Sequence, residues 1–343
     1  MKFDKNTIIG LLLMLLLAFG FSWYSANKAA KEQELNQQAS AANQDTQSVP
    51  AAATQTPQPN TSPVINPDQL VAANTERYAS LAPAALAGSP STVTLKNQKV
   101  TVQLQTKGGH IHKAQLNEFN QYNSENKIQL WDTSNTAMNL NWKNAKGELV
   151  QSSELYFEPS VSEADASAQK AEVRMRAKGV SDSQYLEWVY TLEPNSYQVK
   201  CELHVVGLEN EILQNPLQLD WKLHGIPNEK GLQTERSKSS IFFREQGEDR
   251  DYLSETSNDS QILEKPLHWV DMKQDYFSVA LVSDNGFDKG AQFDVYVLQD
   301  SSCNKLYYGK VPLTMPKSSH SQLNLRGRLG GGLLPKTPFR CLP

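Results

Sequence analysis

Cysteine is scarce in this chain, with only Cys201, Cys303 and Cys341 among 343 residues. Three so widely spaced make neither a zinc pattern nor a disulfide framework. A bridge between Cys201 and Cys303 stays open for a domain outside the cytoplasm, against a buried thiol at Cys201 on the apolar face of a predicted strand. A basic excess is also lacking: 33 lysines and arginines face 37 aspartates and glutamates, for a net charge of -4. A nucleic-acid binder shows a basic patch or a high pI, so nucleic acid is set aside as a partner. Phosphate loops, nucleophile elbows and H-E-x-x-H are absent, and no cofactor is expected. Beyond Tyr24 no second apolar run of membrane length occurs.

What is present begins with that first run, residues 8–24 (IIGLLLMLLLAFGFSWY). At about 1.5 Å per residue it spans roughly 25 Å, within the range of a membrane-crossing helix. Phe21, Trp23 and Tyr24 close it with the aromatics of an interface belt. Residues 1–26 therefore read as a signal-anchor that contacts the bilayer through 8–24, although Ser25 and Ala26 keep a cleaved signal open. Lys2 and Lys5 are balanced by Lys28 and Lys31. The free amino terminus tips the charge towards a cytoplasmic N-terminus, which puts everything after Tyr24 outside the cytoplasm.

Residues 27–90 are rich in Ala, Gln, Asn, Thr, Ser and Pro, with too little large apolar surface to offset ordering entropy. They predict a flexible linker, with one possible helical interlude over 68–86 that Pro83 limits. From residue 91 the hydrophobic period becomes two, the mark of half-buried strands. Val100, Val102 and Leu104 alternate with polar neighbours. So do Tyr197, Val199, Cys201, Leu203 and Val205, and Glu193-Pro194-Asn195-Ser196 turns this strand against residues 184–192 as a hairpin. Further strands are expected at 111–116, 127–132, 138–142, 171–177, 217–223, 239–244, 276–282 and 292–298. A dozen or so strands with almost no amphipathic helix predict an all-β fold, a large antiparallel sandwich over residues 91–309.

His110 and His112 sit two apart and share a face, as metal ligands would, but no third ligand is near and no metal is assigned. Residues 245–251 (EQGEDRD) read as a solvated loop. Trp131, Trp142, Trp188, Trp221 and Trp269 could stack on sugars, yet their strand positions favour core packing. A membrane-anchored carbohydrate-binding or sugar epimerase-like protein remains the alternative function. It would place a histidine and a carboxylate together in a pocket rimmed by aromatics.

The opening Asp4-Lys5-Asn6-Thr7-Ile8-Ile9-Gly10, an apolar helix and a polar tether resemble the start of YidC-type membrane protein insertases, particularly the Bacteroidetes form. Thr106-Lys107-Gly108-Gly109, the segment 269–282 (WVDMKQDYFSVALV) and Leu306-Tyr307-Tyr308-Gly309 resemble that family's periplasmic domain. The motif residues are Lys5, Asn6, Thr7, Gly108, Gly109, Lys273, Gln274 and Phe277. The resemblance implies a bacterial inner-membrane protein with a periplasmic β-super-sandwich, active in membrane-protein insertion without covalent catalysis or cofactor. Its implied partners are nascent membrane proteins and the Sec translocon. In the family that domain precedes a five-helix bundle with a hydrophilic groove.

Residues 310–343 depart from this pattern. They carry Lys310, Lys317, Arg326, Arg328, Lys336 and Arg340, Gly330-Gly331-Gly332, and neither Asp nor Glu. These features predict a divergent tail, frameshifted near Gly309 or disordered, with the insertase helices missing. A natural basic arm for anionic lipid or ribosomal RNA is the alternative.

Overall fold

The computed structural model describes residues 75–132, 136–283, 285–299, 301, 303–313 and 315, with the backbone of 320–331. They fall in one compact unit, Val64–Pro343. The apolar run 8–24 and most of the linker lie outside the described residues. Among those described, no helix is long and apolar enough to cross a membrane.

Period-two sequence builds three sheets. A five-stranded sheet has the order β4 (Lys127–Trp131), β3 (Ile111–Asn120), β2 (Val100–Gln105), β1 (Thr92–Lys96), β8 (Glu163–Asp165). The nine-stranded sheet runs β14 (Arg250–Tyr252), β13 (Ser240–Glu245), β16 (Leu267–Gln274), β17 (Phe277–Ser283), β20 (His320–Gly331), β11 (Gln198–Val206), β10 (Tyr185–Leu192), β9 (Ala171–Lys178), β7 (Glu158–Pro159). A six-stranded sheet follows β15 (Asp259–Ile262), β18 (Gln292–Tyr296), β19 (Leu306–Leu313), β12 (Leu217–His224), β5 (Thr136–Lys143), β6 (Leu149–Gln151). Only β1 and β8 pair in parallel among the described strands. Besides a helical stretch over residues 75–78, helices of about one turn are formed by α1 (Ala82–Leu86), α2 (Glu209–Ile212) and α3 (Leu232–Arg236). The all-β antiparallel architecture expected from the alternation is the one observed.

The strands align because alternate residues have the same destination. In β2 the buried Val100, Val102 and Leu104 face inward between half-buried polar neighbours. In β12, Leu217, Leu219, Trp221 and Leu223 do the same. One continuous core draws Leu95 and Leu104 from the first sheet, Leu203 and Phe243 from the second, and Trp221 and Phe293 from the third. Ring pairs tie the layers together: Trp131 meets Trp221 edge-on at 6.3 Å, and Phe243 stacks on Phe293 at 5.8 Å. All five strand tryptophans named above are buried, so their use is core packing.

The folded unit starts before residue 91, which corrects the linker boundary. Tyr78, Leu81, Ala82 and Ala84 are buried in the shared core, where Leu81 alone contributes about 2 kcal/mol. The Tyr78 hydroxyl donates to Glu154 Oε2 at 2.5 Å, and Ser80 Oγ to Glu211 Oε1 at 2.5 Å. Pro83 sits in the first turn of α1, where its missing N–H costs nothing.

The domain also continues past Gly309, which corrects the divergent tail. Lys310 to Leu313 complete β19, with Leu313 in register with Leu217. Residues 320–331 form β20 between β11 and β17, with Leu323 opposite Leu203 and Gly327 opposite both Val199 and Leu281. The physical reason is legible: Leu323, Leu325, Gly327 and Leu329 alternate with Asn324, Arg326 and Arg328, the same period that builds β11. Residues 332–343 lie outside the described residues. Cys201 and Cys303 are separate thiols, not a bridge.

Candidate functional site

Where the three sheets meet, an internal chamber of about 60 Å³ is lined by Trp131, Trp188, Tyr190, Trp221, His110 and Cys201, among others. It holds at most a few water-sized molecules. The Gly108-Gly109 turn between β2 and β3 closes one side. Both glycines take left-handed φ, +92° and +69°, and a Cβ on Gly109 would stand 2.8 Å from the Phe157 ring. The Tyr190 hydroxyl donates to Gly109 O at 2.7 Å, which pins this turn to the nine-stranded sheet. Burial pushes the His110 imidazole down to about 4 and the Cys201 thiol well up, so both are neutral at pH 7. No carboxylate lines the chamber among the described residues. The histidine–carboxylate pair of a sugar epimerase is therefore not assembled here.

His112 lies in β3, but His110 sits in the bend that precedes it and lines the chamber, so the two do not share a strand as expected; burial depresses both. No group of three metal-capable side chains accompanies them among the described residues. Of residues 245–251, only 246–249 form the β13–β14 turn, where Glu248 pairs with Lys265; Glu245 ends β13, and Arg250 and Asp251 begin β14. Of the motif residues, Lys5, Asn6 and Thr7 lie outside the described residues.

Lys273, Gln274 and Phe277 bracket the β16–β17 turn, whose Asp275 is left-handed at φ 53°. Lys273 Nζ donates to Lys238 O. Gln274 is 2% exposed, and neither of its amide atoms has a hydrogen-bond partner among the described residues. Gly225 makes room for it, since a Cβ there would fall 2.7 Å from Gln274 Oε1.

Behind this turn lies a buried polar cluster that sequence reasoning missed. Glu235 accepts from the Asn228 and Glu229 N–H groups at 3.2 Å and from Asn304 Nδ2 at 3.0 Å. Arg236 donates to Asn304 O and Cys303 O, both at 2.8 Å. Lys305 is fully buried and donates to Ser239 O at 2.5 Å and Glu255 O at 2.8 Å. Burial lowers it to about 8 and raises Glu235. The one sequence signal is Asn304-Lys305, two polar residues immediately before an apolar strand.

The same end of the molecule carries exposed aromatics. Phe119 meets Phe277 edge-on at 5.6 Å. Tyr276 is 60% exposed beside the Lys238 ammonium, and Tyr122 is 55% exposed.

These features define a large antiparallel β-sandwich domain with one continuous core and with Phe119, Tyr122 and Tyr276 exposed at one end. The chain belongs to the YidC family: the family's sequence model, described as the YidC periplasmic domain, matches residues 92–323. The membrane protein insertase YidC of Porphyromonas gingivalis is 33% identical over 291 residues, covering 83% of this chain and 44% of that protein. Its counterpart in Parabacteroides distasonis is 30% identical over 296 residues, with 83% and 45% coverage. The chain thus spans somewhat under half the length of these relatives. Among solved structures, a galactose mutarotase-like protein from Lactobacillus casei is 10% identical with a TM-score of 0.42, covering 70% of this chain and 100% of that one.

Proposed function

We propose that this chain serves membrane-protein insertion and folding as the anchored periplasmic domain of a YidC-type insertase. The observation that carries this reading is the match to insertases over 83% of the chain. Residues 8–24 hold it in the inner membrane with the N-terminus cytoplasmic, and the linker lets the sandwich work close to the bilayer. Its clients are nascent membrane segments, and the Sec translocon is its neighbour in the membrane. The sandwich acts by contact: its chamber has room for a few water-sized molecules at most and no carboxylate lines it among the described residues, so the outer surface is what meets a partner.

Complementation tests this. A host depleted of its own insertase is supplied with this chain, or with a full-length relative carrying or lacking the region matched to residues 92–323, and insertion of a dependent substrate is followed. The reading expects the intact relative to restore insertion and the deletion to slow it. Equal insertion with and without the domain would remove the proposed role.

A further inference from the structure

At the end of the nine-stranded sheet where β20 finishes, a chain of contacts joins two exposed patches. On one side the β10–β11 turn borders a surface pocket of about 220 Å³ lined by Lys170, Thr191, Glu193, Ser196, Gln198 and Lys200. Lys170 and Lys200 are both exposed. In the next strand Arg326 is in register with Lys200, and Arg328 with Gln198. Asn97 Nδ2 donates to Glu193 O at 2.8 Å and Ser196 O at 2.9 Å, tying this turn to the β1–β2 turn. There Lys99 pairs with Glu118 at 3.0 Å. The neighbouring Phe119 meets Phe277, and Phe277 is in register with Gly331, the last residue of β20. Tyr276 and Tyr122 complete the second patch. Tyr122 N donates to Asn228 O at 2.9 Å beside the buried cluster.

We propose that this end of the domain is a lipid-contact surface, with the pocket between Lys170 and Lys200 taking anionic phospholipid headgroups and Phe119, Tyr122 and Tyr276 entering the bilayer interface. The proposal rests on the inner-membrane reading above. Amphipathic rings with polar tips suit the headgroup level, where tyrosine collects. Cations near an anionic leaflet are drawn to it within a Debye length. The aromatic patch itself is close to charge-balanced, since Lys99 pairs with Glu118 and Lys238 with Asp275. The pocket therefore supplies the preference for anionic lipid, and the rings supply depth.

The test is residue-level footprinting of the full chain in vesicles. Acetylation of Lys170 and Lys200 and oxidation of Tyr122 and Tyr276 are compared with Lys178 and Lys265, which lie at the opposite end of the same sheet. In phosphatidylglycerol vesicles the first four should react several-fold more slowly than in detergent, while Lys178 and Lys265 are unchanged. In phosphatidylcholine vesicles the lysine protection should disappear. The variant K170E/K200E/Y122S/Y276S, altered only at exposed or solvent-facing sites, should lose protection at Phe119. Equal rates at both ends in every medium would overturn the proposal. So would protection at the opposite end, lysine protection that phosphatidylcholine reproduces, or lysine protection by inorganic phosphate in detergent, which marks a free-anion site. Because insertion is not the readout, loss of the footprint and loss of complementation separate the two ideas.

Discussion

The chamber and the polar cluster are buried equally well and held together by opposite means. Around the chamber, large rings meet edge to face and stability comes from area removed from water and close packing. Trp131 Nε1 and Trp221 Nε1 have no hydrogen-bond partner among the described residues. In the cluster, Glu235, Arg236, Asn304 and Lys305 are as inaccessible; the three charged groups are held largely by main-chain N–H and C=O groups, while Asn304 Nδ2 donates to the side chains of Glu235 and Ser239. The contrast shows that one core can tolerate unpaired neutral polar groups where packing is dense, while its full charges are met by hydrogen-bond partners.

The largest effect should come from breaking the cluster. Arg236→Ala leaves the buried Cys303 and Asn304 carbonyls without their donor, at a cost of about 3–5 kcal/mol. Urea denaturation would read it as a lower midpoint with an unchanged slope. A loss under about 1 kcal/mol would mean that water replaces the guanidinium.

The two regions should also answer to pH in separate windows. His110 is neutral in the fold and titrates near 4 against 6.5 when free. A folded value below the unfolded one means that the unfolded chain binds more protons between them. Stability from this group is therefore complete above pH 6.5 and falls by about 3 kcal/mol as pH drops to 4. Glu235, whose carboxyl is raised by burial, slopes the other way in acid, so His110→Leu isolates the chamber's share. Lys305, lowered to about 8 from 10.5, gives stability that rises with pH between those values, also by about 3 kcal/mol. Thermal unfolding followed from pH 4 to 10.5 in wild type, H110L and K305M checks both windows; each variant should flatten one and spare the other.

The smallest effect is expected at Gln274, which sits in the polar region but behaves as a chamber residue. With both amide atoms unpartnered, Gln274→Met removes a desolvation cost and keeps the volume, so the change should lie within about 1 kcal/mol of zero or be stabilising. A loss of several kcal/mol would reveal a bound water or a partner at the amide.

The strand pattern was legible wherever neighbours in sequence are neighbours in space. The β10–β11 hairpin follows from alternation and from Pro194-Asn195, where Asn195 takes φ 55°. The Gly108-Gly109 turn follows from residue type. β20 shows the same alternation as β11, but its arginines and glycines invite a compositional reading that the pairing overrules. The docking of Tyr78 and Leu81 was hidden because a few apolar residues in a polar stretch gain their value only from a distant core. The polar cluster was least legible of all: Glu235, Glu255 and Asn304 come from segments tens of residues apart, and no spacing rule joins them.

The chamber depends on β20. Val199 and Cys201 of β11, and Val279 and Leu281 of β17, line one chamber, yet their strands meet only through the strand between them. Native-state hydrogen exchange of the full chain, read at the amides of Leu323 to Leu329, tests this most directly. The account predicts exchange as slow as that of Val199 to Val205 and Val279 to Leu281, in one cooperative unit. Exchange at the rate of an unprotected chain would contradict it and leave the nine-stranded sheet split in two.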